Sequence, residues 1–229
     1  MAQWNMLYDI YERRLRAELA TAPIPAHIGV ILDGNRRWAK SLGAPASQGH
    51  RAGAGKISEF LGWANDAGVS IVTLWLLSTD NLSRDADELG ELLRIICEAV
   101  EALAKQGAWR LAIVGDLSLL PDGVAADLSR SIEATAGREG MKVNIAVGYG
   151  GRHEITEAVR AMMREAAAAG RSLAEVAESF TDQDIASHLY TKDQPDPDLV
   201  IRTSGEQRLS GFMLWQSVPS EYYFCEVYW

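Results

Sequence analysis

The sequence predicts an α/β fold with a central, mostly parallel six-stranded sheet flanked by helices, and three observations carry that reading. Short runs that are apolar throughout alternate with longer segments whose apolar residues recur at helical spacing, the pattern of strands buried on both faces. Gly68, Gly107, Gly140 and Gly170 each fall just past a helical segment, where a left-handed residue ends a helix. The 229 residues lie within what one core can serve, about 250, with no internal repeat and no Pro-, Gly- or Ser-rich linker, so 1–229 are expected to form a single domain.

Taken in order, residues 1–22 intersperse Met6, Leu7, Ile10, Leu15 and Leu19 with Asp9, Glu12, Arg13, Arg14 and Arg16. This is an amphipathic helix rather than a signal peptide or a membrane span, both of which need unbroken apolar runs. It is expected to dock on the chain's own core, with a membrane surface as the alternative. After Pro23 and Pro25, the run 27–32 (HIGVIL) predicts the first strand and 71–77 (IVTLWLL) the second; 110–114, 143–147, 199–201 and 212–215 supply the rest. Helices are predicted over 51–67, 86–105, 121–137, 152–168 and 182–189. The Asp196-Pro197-Asp198 group reads as a rigid turn into the fifth strand.

Composition narrows the functions. With 48% hydrophobic and 23% charged residues the chain is an ordinary globular one. Its net charge of −9 argues against nucleic acid as a partner, since that affinity needs an excess of Lys and Arg. Cys97 and Cys225 can build neither a disulfide framework nor a four-ligand zinc site, and reduced thiols in a cytoplasmic protein are expected. His27, His50, His153 and His188 have no zinc spacing.

In parallel α/β sheets, ligands sit beyond the carboxyl ends of the strands. The first strand runs into Asp33-Gly34-Asn35-Arg36-Arg37-Trp38, a carboxylate followed by a turn and a helix start. That arrangement suits a phosphate and its divalent ion, although a helix cap with exposed arginines explains the hexapeptide as well. The second strand runs into Ser78-Thr79-Asp80-Asn81-Leu82-Ser83-Arg84, where a capping box over 83–87 accounts for part of the pattern. The fourth ends in the tight turn Gly148-Tyr149-Gly150-Gly151, and the fifth in a stretch from Arg202 to Ser210 that includes Arg208. Each exit taken singly has a structural explanation. Arg37, Arg84, Arg202 and Arg208 gathered at one edge of an acidic protein do not.

Standard signatures fail. A Walker-like Gly-Ala-Gly-Lys (53–56) has His50 in place of its first glycine and Ile57 in place of Ser/Thr, His153 occupies the third glycine of a dinucleotide pattern, and no serine is framed as a nucleophile elbow. His50, between Gly49 and Arg51, is the histidine placed near the site.

The blocks HIGVILDGNRRWAK (27–40), GHRAGAGKI (49–57), TLWLLSTDNLSR (73–84), NIAVGYGGRHEI (144–155) and DPDLVIRTSGEQRLSGFMLWQSVPSEYYF (196–224) together resemble the cis-prenyltransferases of the undecaprenyl diphosphate synthase type. The resemblance implies a homodimer with an elongated apolar tunnel. The implied reaction is Mg²⁺-dependent condensation of isopentenyl diphosphate onto an allylic diphosphate, forming a cis double bond and releasing diphosphate. Asp33 matches the metal and diphosphate aspartate, and Gly34, Asn35, Arg36, Arg37, His50 and Arg84 match the allylic diphosphate pocket. Arg202, Arg208 and Ser210 match the isopentenyl diphosphate pocket. Glu221 matches the acidic residue that completes the partner subunit's metal site. Ser78 and Asn81 match a polar pair associated with proton removal, in which Asn81, a poor base, positions substrate while a diphosphate oxygen takes the proton. Trp38, Thr79, Asp80, Leu82 and Leu209 complete the expected substrate contacts.

The sequence departs from the family pattern at Ala46, where an arginine is usual, at Gln207 and at Asp80, and its 229 residues do not include the family's Arg-x-Gly segment. Leu76 stands where long-chain members carry a small residue. If it faces the tunnel, its extra volume stops growth early. With the YERRLRAEL stretch and the 202–212 segment, Leu76 resembles actinobacterial short-chain enzymes and implies (2Z,6E)-farnesyl diphosphate made from geranyl diphosphate; a long-chain carrier-lipid synthase is the alternative. Phe60, Trp63 and Leu93 are expected to accommodate the isoprenoid. Asp33→Ala is expected to abolish turnover with little loss of fold. A non-catalytic family member and an Asp33-dependent phosphate-ester hydrolase are the readings from other classes.

Overall fold

The computed structural model describes residues 2–19 and 21–229, with side chains from Ile10 onward apart from residue 20; Met6 and Leu7, expected on an apolar helix face, lie outside the described side chains. In chain order the elements are α1 (Ala2–Leu19), β1 (His27–Ile31), α2 (Asn35–Ser41), α3 (Ala46–Ala67), β2 (Ile71–Ser78), α4 (Ala86–Gln106), β3 (Arg110–Val114), α5 (Asp122–Glu133), β4 (Lys142–Tyr149), α6 (Gly151–Ala168), α7 (Leu173–Ser179), α8 (Asp182–Ala186), β5 (Leu199–Arg202) and β6 (Glu221–Phe224). Short 3₁₀ turns at Thr79–Ser83 and Leu117–Leu119 follow β2 and β3.

The six strands form one sheet in the order β3-β4-β2-β1-β5-β6, with each neighbouring pair parallel. From β1 the chain first builds outward through β2, then crosses back to β5 on the other side of β1. The switch point therefore lies between β1 and β5, and the crevice at their carboxyl ends is where such sheets bind ligands. Every residue of β1 is buried, as a central parallel strand covered on both faces requires. On one face Ile28, Val30, Val72 and Leu74 pack under Ile57 and Leu61 of α3 and Leu92, Leu93, Ile96 and Val100 of α4. On the other, Ile31, Tyr149, Val200, Phe212 and Met213 form a smaller cluster with Trp75, whose ring stacks on Phe212 at 5.2 Å.

The sixth strand is not where the apolar pattern places it. Phe212 and Met213 are fully buried, but in a loop whose backbone takes positive φ at Ser210, Gly211 and Met213, which no strand tolerates. That loop is fastened to α6 by Gly151 N donating to Gly211 O at 2.8 Å. The strand is instead Glu221–Phe224 at the sheet edge, with Tyr222 and Tyr223 exposed. Helix α3 begins five residues before the expected 51, α5 ends at Glu133 rather than 137, and α8 at Ala186 rather than 189. Gly68 and Gly107 cap helices as expected, but Gly140 does not. A Cβ at Gly140 would lie 2.1 Å from Ala108 O, so it is close backbone approach that needs glycine there.

In the described part of α1, Ile10, Leu15 and Leu19 are 57%, 38% and 44% exposed rather than packed on the core, and Arg16 reaches α3 through Asp66 at 3.3 Å. Among the described residues, no helix is long and apolar enough to cross a membrane. Asp198 does more than turn the chain. Its carboxylate accepts from the N–H groups of Ala26 and His27, its own N–H donates to His27 O, and its carbonyl accepts from Glu221, which splices β1, β5 and β6 together.

His27 is fully buried between Pro195 O (2.8 Å) and Thr73 Oγ1 (2.7 Å), and burial lowers its pKa from the ordinary value of 6.5. The unfolded chain therefore binds this proton more readily. Stability is at its full value above about pH 6.5 and declines as pH falls towards the folded-state pKa. Urea midpoints measured from pH 7.5 to pH 5 are expected to fall, and to fall less in a folded His27→Gln variant; identical slopes would assign the loss to other groups.

Candidate active site

Asp33 follows β1 and Arg202 ends β5, so the sheet places both at the switch point. Asp33 is pinned by its own backbone: Thr203 Oγ1 accepts from Asp33 N at 3.0 Å and donates to Asp33 O at 2.6 Å. Its Oδ2 accepts from Arg202 Nη2 at 2.8 Å and Arg37 Nη2 at 3.2 Å, while Oδ1 accepts from Gly34 N at 2.7 Å. Burial pushes this carboxyl up, but the bonds and charges of Arg202, Ser204 and Arg37 outweigh it and hold it below the usual range. It is a carboxylate at neutral pH.

Arg202 is itself buried, its side chain 7% exposed, and it also donates to Ser210 Oγ (2.8 Å) and to Arg208 O. Arg37 donates to Ser204 O and Oγ at 3.1 and 2.5 Å. Ser204 and Ser210 both have positive φ, 81° and 51°. Backbone strain of this kind costs about 1–3 kcal/mol per residue and persists where surrounding contacts over-determine it, here the two guanidinium groups. Glu206 faces Arg37 at 3.6 Å and Arg208 at 2.9 Å, completing this cluster.

A second cluster lies across the cavity. Arg84 and Arg36 share Glu88, at 3.2 and 3.5 Å, and His50 lies near both. Burial, then the charges of Arg84 and Arg36, hold the His50 pKa below 6.5, and its Nε2 is buried without a partner, as is Asn35 Oδ1. Glycine lets α3 come this close: a Cβ at Gly49 would lie 2.1 Å from Asn35 O, and one at Gly53 2.1 Å from Asn35 Oδ1. A cationic end with an orphaned imidazole nitrogen is complementary to a phosphorylated ligand. An anion there favours the charged imidazole, so the His50 resonances in an NMR titration are expected to show a midpoint below 6.5 that rises when inorganic diphosphate is added. A midpoint indifferent to diphosphate would place the anion elsewhere.

Both clusters open into a cavity of about 580 Å³ that runs between the sheet, α3 and α4. Its inner wall is apolar: Ile57, Leu76, Leu77, Leu92, Ile95 and Ile96. The β2–β4 register slips between Trp75 and Leu77, so Leu76 is an extra, unmatched residue in β2. A bulge re-aims the side chains that follow it. Leu76 and Leu77 consequently both lie on the wall shared with the α3–α4 core, while Trp75, which also lines the cavity, stacks its ring on Phe212.

Of the residues expected from sequence, Asp33, Gly34, Asn35, Arg36, Arg37, His50, Leu76, Ser78, Asp80, Asn81, Arg84, Arg202, Arg208 and Ser210 line this cavity. Trp38, Thr79, Leu82 and Leu209 do not. Leu82 and Leu209 pack into the two hydrophobic clusters, and Thr79 lies against Gly150. Phe60 contacts Trp229 rather than the cavity, Trp63 is exposed, and Leu93 is core. Glu221 sits level with Leu199 and hence with Ile28, at the opposite end of the sheet from its own chain's Asp33. The capping box falls one turn earlier than expected: Ser78 Oγ accepts from Asn81 N and Asn81 Oδ1 from Ser78 N, while Asp85 caps α4. Asn81's oxygen already accepts one bond, and an amide is too weakly basic to take a proton, which suits a positioning group and not a base.

Sequence reading missed Glu88, Thr203, Ser204, Glu206 and Trp229. The four-residue spacing of Arg84 and Glu88 was a usable signal for one of them; the others depend on long-range packing. For Mg²⁺ the donors fit: Mg²⁺ binds through one or two carboxylates plus phosphate oxygens and keeps waters, and Asp33 is an ionised carboxylate whose Oδ1 takes a single bond, from Gly34. Among the described residues there is no group of three or more acidic, His or Cys side chains placed so as to hold a metal ion by themselves.

One ionised carboxylate between two cationic clusters, backed by an apolar cavity, is complementary to a phosphorylated ligand with an apolar tail. The family described as "Putative undecaprenyl diphosphate synthase" matches residues 31–229. The chain belongs to that family of prenyltransferases. It is 55% identical to isoprenyl transferase 1 of Streptomyces avermitilis over 98% of this chain and 88% of that relative. It is 56% identical to the (2Z,6E)-farnesyl diphosphate synthase of Thermobifida fusca, over 97% and 88%. The structure superimposes on lavandulyl diphosphate synthase from Lavandula x intermedia, solved with dimethylallyl diphosphate, with a TM-score of 0.82 and 32% identity over 90% of this chain and 88% of that one.

Proposed function

We propose that this enzyme condenses isopentenyl diphosphate with a short allylic diphosphate, geranyl diphosphate foremost, to give (2Z,6E)-farnesyl diphosphate and diphosphate. The observation that carries the product length is the bulged Leu76–Leu77 wall closing a cavity of about 580 Å³. That volume lies in the roughly 300–1,000 Å³ range of small-ligand pockets, and an undecaprenyl chain beside two diphosphates overfills it. The name of the Thermobifida fusca relative supports the same length.

In this reading Asn35, Arg36, His50 and Arg84 receive the allylic diphosphate, and Arg202, Arg208 and Ser210 that of isopentenyl diphosphate. The allylic C–O bond breaks with its electron pair leaving on diphosphate, whose growing charge the arginines stabilise in place. The alkene carbon of isopentenyl diphosphate bonds to the allylic cation, and the proton lost from that substrate passes to a diphosphate oxygen while Asn81 holds it in position. The apolar wall excludes water that would otherwise capture the cation. Asp33, with Glu221 of the partner subunit, would hold Mg²⁺, which would supply positive charge to the leaving diphosphate.

A homodimer belongs to this proposal. The outer edge of β6 is an unpaired strand edge, and Tyr222, Tyr223 and Val218 beside it are exposed, as a surface covered by a second copy would be. The two free cysteines suit a cytoplasmic setting. The retained Asp33 and both arginine clusters speak against a non-catalytic subunit, and the apolar cavity against a phosphate-ester hydrolase. With labelled isopentenyl diphosphate and Mg²⁺, label is expected to enter prenyl product only when an allylic diphosphate is also present, one diphosphate being released per condensation. Diphosphate or phosphate release without carbon–carbon bond formation would refute the proposal.

A further inference from the structure

We infer that Trp229 is a positioning residue for the diphosphate site, an inference that rests on the reading that the Asp33–Asn35 loop and His50 receive a diphosphate. Residues 225–229 return from β6 across three parts of the site. Gly205 N donates to Cys225 O at 2.8 Å and Ser204 N to Val227 O at 2.7 Å, which hold the loop after β5. Trp229 N then donates to Asp33 O at 3.1 Å, and its indole Nε1 to Gly53 O, inside α3, at 2.8 Å. One residue therefore ties the loop that carries Asp33 and Asn35 to the helix that carries His50.

The joint has little slack. The indole packs edge-on against Phe60 with centroids 5.6 Å apart, a Cβ at Gly53 would lie 2.9 Å from Trp229 Cδ1, and a Cβ at Gly34, whose φ is +112°, would lie 2.8 Å from Tyr228 Cδ1. Arg37 lies over the Tyr228 ring at 5.8 Å. Asn35 Oδ1 and His50 Nε2, both buried and without partners, stand on the two elements that Trp229 joins, so its hydrogen bond adds to the glycine-mediated packing that holds them in place. Trp229 lines the cavity but carries no group able to give or take a proton in the reaction. Its effect runs through the loop and the helix.

Trp229→Phe keeps an aromatic ring on Phe60 and deletes the N–H, and Trp229→Ala removes both. For the folded Phe variant, calorimetric affinity for inorganic diphosphate is expected to weaken about three- to tenfold, the scale of one lost hydrogen bond. KM for geranyl diphosphate should rise by a similar factor with kcat nearly unchanged, and the melting temperature should fall by no more than about 2–4 °C, the stability cost of the same bond. Unaltered diphosphate affinity and KM in a folded Phe variant, or a fall in kcat at constant KM, would overturn the role. Diphosphate binding is read without turnover, so a parent protein that binds diphosphate but condenses nothing refutes the condensation reading and leaves this test intact.

Discussion

Replacing Asp33 by Asn is expected to lower turnover by about 10²–10³-fold or more, the scale of losing a preorganised electrostatic group at the reacting centre. Asn keeps the shape and can still accept from an arginine, but it removes the one negative charge on which Arg37 and Arg202 converge. It also removes the carboxylate that fits Mg²⁺. The Ala variant is a different experiment from the one the sequence suggested. Arg202 is only 7% exposed, and without Asp33 it is left buried beside Ser210 and a carbonyl with no counter-charge. Stranding a buried charge costs about 3–5 kcal/mol, so Asp33→Ala should lose stability together with activity. The comparison to make is steady-state kinetics and melting temperature for both variants. Turnover of Asp33→Asn within tenfold of the parent would remove Asp33 from the mechanism.

Replacing Leu76 by Ala is expected to shift the main product beyond fifteen carbons by at least one isoprene unit. The bulge in β2 puts Leu76 and Leu77 side by side on the cavity wall, and trimming Leu76 opens space where the chain end arrives. Leu77 is fully buried, so Leu77→Ala should cost about 2–5 kcal/mol in stability. Leu76 is half-buried and should cost less, which makes it the better probe of length. Leu76→Trp should act in the opposite sense, filling the cavity and slowing the geranyl reaction more than the dimethylallyl one. Chromatography of dephosphorylated products gives the answer. A Leu76→Ala variant that still stops at fifteen carbons would locate the stop elsewhere.

Much of this was legible in the residues because burial on both faces makes β1, β2 and β4 mostly apolar, and because parallel sheets put chemistry at strand ends. The same logic misled at 212–215. An apolar run reports burial, and Phe212 and Met213 are buried in a positive-φ loop, whereas the true edge strand shows two tyrosines to the surface. Leu76 was picked out by comparison with long-chain patterns, but the reason it faces the cavity, a register slip against β4, is a property of the paired strands. Glu206 and Trp229 were missed for a related reason. Each matters through groups far away in sequence: Glu206 through Arg37, Trp229 through Asp33 and Gly53. The polar pair Ser78–Asn81 is a caution in the other direction, since its closest contacts are with each other in a capping box.

The most direct test of the account is the chain length and double-bond geometry of the product formed from geranyl diphosphate, isopentenyl diphosphate and Mg²⁺. A single fifteen-carbon product whose new double bond is cis is the predicted result. A ladder of polyprenyl diphosphates would contradict the Leu76–Leu77 wall as the length stop, and a trans product would contradict the reading of the site itself.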